Sequence, residues 1–189
     1  KLPMAMHNEF SYQSIFPSFI AFRCLKAPTT GGETAIADCR KIYEEMDPSI
    51  RKRFETKKIK YVRNLYSKRW LSELINRFIK IDESWMEVFG TNIKSEVEKL
   101  CEQHQLKFSW KKNNHLQIQN ILPAVRNHPT TKATVWFNIA ANTLKHPKYC
   151  GWMMYLAFKF IYPTSSSTPI YSTYGDGTKI CYEEASHIK

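Results

Sequence analysis

Three stretches of this chain, 58–65 (KIKYVRNL), 115–125 (HLQIQNILPAV) and 133–138 (ATVWFN), alternate apolar and polar residues with a period close to two. Successive side chains of an extended chain point to opposite faces, so such a pattern buries one face only when it is laid in a sheet. A helix would scatter the same apolar residues around its circumference. The turn formers Asn127-His-Pro-Thr-Thr-Lys separate the last two stretches, and residues 106–110 add a further strand. Residues 14–25 (SIFPSFIAFRCL), rich in aromatic and β-branched side chains and bounded by Pro and Gly-Gly, read as a buried strand. Helices are expected between these segments. Residues 37–46 form one, and Asp47-Pro48 restarts another through Phe54, with Asp as N-cap and Pro at the first helical position. Leu71, Leu74, Ile75, Phe78 and Ile79 share one face of an amphipathic helix whose other face carries Lys68, Arg69, Arg77 and Lys80. Residues 95–104 make another, with Ser95 and Glu98 at capping-box spacing and Val97, Leu100 and Cys101 turned inward. Residues 149–161 fit helix or strand, 165–168 a loop, and 174–180 a tight turn. Together these give an α+β, mainly β chain with inserted helices.

Composition narrows the class. With 189 residues, 43% of them hydrophobic, the chain has enough apolar material for one core, which excludes a disordered tail or a disulfide-stapled miniprotein. Five cysteines without a CxxC pair suggest neither a disulfide framework nor a structural zinc site and point to an intracellular, cytoplasmic location. The longest apolar run, 151–157, falls well short of the ~20 residues that span a bilayer, so no membrane segment is expected. Lys and Arg exceed Asp and Glu by 28 to 17, a net charge of +11, which raises nucleic acid, anionic lipid or an acidic small molecule as partners. The basic residues are scattered and lack a nucleic-acid-binding signature or regular aromatic interleaving, so nucleic acid is not expected. The chain opens at Lys1 and closes at Lys189 inside a helical pattern without a C-cap signal, and is read as an internal portion of a longer protein.

The chemistry centres on His7-Asn8-Glu9. Residues two apart on an extended segment point the same way, so an imidazole and a carboxylate converge on one ion. Two His and one carboxylate on one face of an octahedral iron leave three positions for O2 and a bidentate cosubstrate. The triplet supplies two of those three ligands. By itself H-x-E is weak, and is far more often a surface His beside a Glu, by about 10 to 1.

An ordered series surrounds the triplet: His7-Asn-Glu-Phe-Ser-Tyr, Phe16-Pro-Ser, Gly31-Gly-Glu-Thr-Ala-Ile-Ala-Asp with Arg40 and Tyr43, and Asp47-Pro. It continues through Trp85-Met-Glu-Val-Phe-Gly-Thr, residues 97–101, Trp110, Pro123-Ala-Val, His128-Pro-Thr-Thr, Val135-Trp-Phe-Asn and Tyr174-Gly-Asp-Gly-Thr. The series resembles the TauD/TfdA-like family of Fe(II)/2-oxoglutarate dioxygenases, nearest to its clavaminate-synthase-like and syringomycin-type hydroxylase branch. Residues 63–84 match least, and 67–84 are read as a helical insertion in a single partial domain covering 1–189.

The resemblance implies a double-stranded β-helix (jelly-roll) core with inserted helices, incomplete at both ends. It implies Fe(II) and 2-oxoglutarate as cofactors, with O2 and a small or carrier-bound substrate as partners. The implied reaction hydroxylates that substrate while 2-oxoglutarate is decarboxylated to succinate. Carried over by residue, His7 and Glu9 match the first two iron ligands, and Thr34 matches the threonine that hydrogen-bonds the cosubstrate carboxylate. Phe137 and Asn138 lie on a strand similar to one lining the family's pocket, with Trp136 facing the other way. Glu9 stands where halogenating relatives have Ala or Gly, which favours hydroxylation. His128 matches a structural turn histidine, and Lys132 stands where many relatives have a turn glycine. The family's second histidine ligand and its cosubstrate arginine follow the Tyr-Gly-Asp-Gly segment. His187 is not offered as that ligand, and these 189 residues alone are expected to be inactive. The alternatives are a catalytically degenerate relative and a non-enzymatic basic binding module.

Overall fold

The computed structural model describes residues 6–67 and 83–186. Among these, six strands form: β1 (Ile59–Leu65), β2 (Lys107–Lys111), β3 (His115–Leu122), β4 (Val125–Asn127), β5 (Thr134–Trp136) and β6 (Ile170–Tyr174). An antiparallel sheet has the order β2-β3-β1-β6, and β4 pairs with β5 in a second, two-stranded sheet.

The period-two pattern sets which sheet face is covered. Opposed residues share a face, so the register aligns Ile59 with Leu122 and Tyr174, Tyr61 with Asn120 and Ser172, Arg63 with Ile118, and Leu65 with Leu116. At one end of this face Ile59, Leu122 and Tyr174 join Phe54 and Trp136 in one core cluster. At the other end Leu65, Leu116 and Ile118 pack with Trp85, Val97 and Cys101. Tyr61 belongs to the first cluster, and between the two clusters the face turns polar at Asn120, Ser172 and Arg63. The opposite face carries buried Val62 beside a polar ladder in which Gln119 donates to Gln117 and Gln117 to Asn64, both at 3.0 Å.

Helices close the apolar ends. Asp38 caps α1 (Cys39–Glu45), and Asp47 caps α2 (Pro48–Lys57), accepting from the N–H groups of Ser49 and Ile50 with Pro48 in the first turn. The α2 residue Phe54 is fully buried, edge-on to Trp136 at 5.2 Å and tilted against Tyr174 at 5.1 Å. Two more helices, α3 (Trp85–Phe89) and α4 (Lys94–Gln103), cover the other cluster through Trp85, Val97 and Cys101.

Several expectations are corrected. Residues 14–25 form no strand, and Phe19 is 90% exposed. Strand propensity expresses a fit to neighbouring strands, and among the described residues nothing pairs with this segment. The capping box lies at Ser84 and Glu87, opening α3, whereas α4 begins behind Ile93 with no side-chain cap. Glu98, expected to reach back to the helix start, instead accepts the indole N–H of Trp110 at 2.7 Å. The 115–125 strand is interrupted at Pro123 and Ala124, dividing β3 from β4. The ambiguous segment 149–161 resolves into helix over Trp152–Ile161. Strand β6 was not foreseen. The amphipathic pattern at 71–79, most of the 67–84 insertion and His187 lie outside the described residues. Among the described residues no helix is long and apolar enough to cross a membrane.

Candidate functional site

The polar middle of the sheet face is where the N-terminal segment lies. Asn120 donates to the Ser14 hydroxyl at 3.2 Å, and the Arg63 guanidinium sits 5.4 Å from the Tyr12 ring centroid. The His7-Asn-Glu triplet at the head of this segment is not in a strand. A turn follows it, in which both the N–H and the hydroxyl of buried Ser11 donate to the Asn8 carbonyl.

Asn8 fixes the triplet. Its side-chain oxygen accepts the Asn138 N–H at 3.1 Å and its amide nitrogen donates to Cys39 Sγ at 3.3 Å, while Asn142 donates to the Met6 carbonyl. With the middle side chain held by the protein, its neighbours fall on the same side. His7 Nε2 stands 3.3 Å from Glu9 Oε2, both side chains remaining partly exposed.

That spacing suits a shared ion. Two adjacent donors about 2.1 Å from an octahedral ion stand about 3.0 Å apart, close to the observed separation. One imidazole nitrogen and one carboxylate oxygen are also a donor set that takes a first-row transition metal. Among the described residues no group of three metal-ligating side chains assembles.

The remaining candidates are placed as follows. Asn138 is buried and its amide is used by the backbone: Nδ2 donates to the Ala124 carbonyl at 2.9 Å and Oδ1 accepts from the Ala140 N–H at 3.1 Å. Its own N–H is the anchor for Asn8, so it supports the triplet from behind. Phe137 packs on Phe16 with ring centroids 4.8 Å apart, while Trp136 points into the core. Thr34 is exposed and makes no hydrogen bond among the described residues, to His7 and Glu9 or elsewhere. It follows Gly31 and Gly32, both at positive φ, and a Cβ on Gly32 would fall 2.4 Å from Pro28, so the bend ahead of Thr34 requires glycine. His128 Nδ1 accepts from the N–H groups of Thr130 and Thr131, and Lys132 takes φ +59° in the same turn, a backbone that favours glycine.

The sequence reading passed over two groups at this site. Tyr61 accepts the Ile139 N–H at 3.2 Å, and burial raises the pKa of its hydroxyl well above that of an ordinary tyrosine. Arg126 lies over the Phe16 and Phe137 rings. Burial lowers its pKa, with Tyr61 opposing the shift. A lone arginine in Pro123-Ala-Val-Arg-Asn carries no local signal, because its aromatic partners come from distant parts of the chain.

Comparison with known proteins gives one family. The model of the taurine catabolism dioxygenase TauD, TfdA family matches residues 1–156. The dapdiamide synthesis protein DdaC of Enterobacter agglomerans is 29% identical over 190 residues, covering 98% of this chain and 52% of its own. A clavaminate synthase-like protein of Arabidopsis thaliana is 29% identical over 158 residues, covering 80% of this chain and 43% of its own. The chain spans about half the length of the curated relatives it matches.

Proposed function

The chain belongs to the taurine catabolism dioxygenase TauD, TfdA family, and from that premise we propose that it carries part of the active site of an Fe(II)- and 2-oxoglutarate-dependent oxygenase acting on a small or carrier-bound substrate. The observation that carries the reading is the His7–Glu9 pair, held 3.3 Å apart on one side of an anchored segment. His7 and Glu9 would hold the ion. When bound, iron and 2-oxoglutarate supply the oxidising power, with O2 as oxidant and succinate and CO2 as by-products.

The protein's part is to bind and orient. The Thr34 hydroxyl donates to a carboxylate of 2-oxoglutarate without adding a competing charge. Phe137 and Phe16 wall the substrate side and exclude water, while Asn138 keeps Asn8, and through it both ligands, in place. As a ligand, the carboxylate of Glu9 would fill the position that a halide would need, which favours hydroxylation of the substrate over chlorination. On this reading the antiparallel sheets would be part of a jelly roll. The resemblance puts the second histidine and the cosubstrate arginine after Tyr174-Gly-Asp-Gly, and these 189 residues alone are expected to bind iron weakly and to be inactive.

The reading is tested on the protein translated from the complete reading frame that carries these residues. Fe(II)-dependent formation of succinate from 2-oxoglutarate is expected, lost on Glu9→Ala, with no chlorinated product in chloride buffer. Succinate formation that is absent, or indifferent to Glu9, would overturn it. Asn8→Ala is expected to lower metal affinity about tenfold while costing about 1 kcal/mol of stability, since an outer group orienting two ligands is lost together with its hydrogen bonds. Metal titration set beside urea unfolding separates these two effects.

A further inference from the structure

Arg126 is a cation in an apolar slot. Its guanidinium carbon lies 4.3 Å from the Phe16 ring centroid and 5.4 Å from that of Phe137. Among the described residues its Nε is buried with no acceptor, and no carboxylate pairs with it. Stacking on aromatic rings accounts for where the guanidinium plane lies. It leaves the buried Nε–H without an acceptor among the described residues, and a buried donor left unmet is costly.

The shape of that deficit names the missing group. A guanidinium presents two parallel donors that match the two oxygens of a carboxylate. Glu9, the acid at the head of the segment that also carries Phe16, is committed to His7. Phe137 is the neighbour of Asn138, whose N–H holds Asn8 between His7 and Glu9, so an anion on Arg126 would lie beside the candidate metal ligands.

We propose that Arg126, framed by Phe16 and Phe137, binds the carboxylate of an acidic substrate. The word substrate rests on the oxygenase reading, while the anion site itself stands without it.

The test is carried out on the metal-free chain, without 2-oxoglutarate. The Arg126 Nε–H resonance, assigned through its contacts with the two phenylalanine rings, is followed during titration with sodium butyrate, neutral butyramide and inorganic phosphate. A saturable shift with butyrate is expected, none with butyramide, and at least a ~10-fold weaker response to phosphate, whose tetrahedral oxygens fit the planar fork less well. Arg126→Lys keeps the charge but loses the fork, and should weaken butyrate binding about tenfold. If that variant fails to fold, the wild-type titration decides alone. No shift with butyrate, an equal shift with butyramide, or a response confined to phosphate would overturn the assignment. Because neither iron nor turnover is involved, failure here leaves the succinate assay untouched, and failure of that assay leaves this titration readable.

Discussion

His7→Ala is expected to lower the affinity for Fe(II) by two orders of magnitude or more, and Glu9→Ala to do the same. Losing a group that merely orients a ligand costs about 10–100-fold, so deleting the donor atom costs at least that. Both side chains are partly exposed, and neither substitution should change the unfolding free energy by more than about 0.5 kcal/mol. In the 189-residue chain the double variant should lose little more than either single one, because one remaining donor no longer chelates. Anaerobic metal titration beside denaturant unfolding checks this. A His7→Ala protein that binds iron as the wild type does would leave the pair a surface contact.

Trp136→Ala is expected to cost about 3–5 kcal/mol, enough to unfold a domain of ordinary stability. The indole is only 2% exposed, in a cluster with Phe54, Tyr174, Leu122 and Ile180. Trp136→Phe should cost far less, about 1 kcal/mol. The buried Nε1 has no acceptor among the described residues, so removing it loses volume but also an unmet donor. Urea unfolding of the two variants tests the contrast. Equal losses would mean that the indole N–H has a partner.

Much of the frame is legible in local sequence. Asp47-Pro48 starts a helix because both residues act within one turn, and the alternation in 59–65 follows from the pleat alone. The His7–Glu9 convergence was also readable, although its cause differs. No strand carries it; Asn8, tied to Asn138 and Cys39, holds its neighbours on one side. Strand β6 was missed because Ile170–Tyr174 places Ser172 and Tyr174 on the covered face, a weak apolar signal. The capping box was assigned to Ser95 because spacing alone does not show that Trp110 claims Glu98.

Sequence by itself determined the alternating strands at 59–65 and 115–122, the helix start at Asp47-Pro48 and the choice of two candidate ligands, since each depends on residues a few positions apart. Only tertiary structure decided that, among the described residues, the segment 14–25 joins no strand, that Asn138 serves as a backbone clamp, and that Arg126 meets two rings and no acid. Those outcomes depend on which distant groups arrive within hydrogen-bond or van der Waals reach, and that is set by the closure of the sheet.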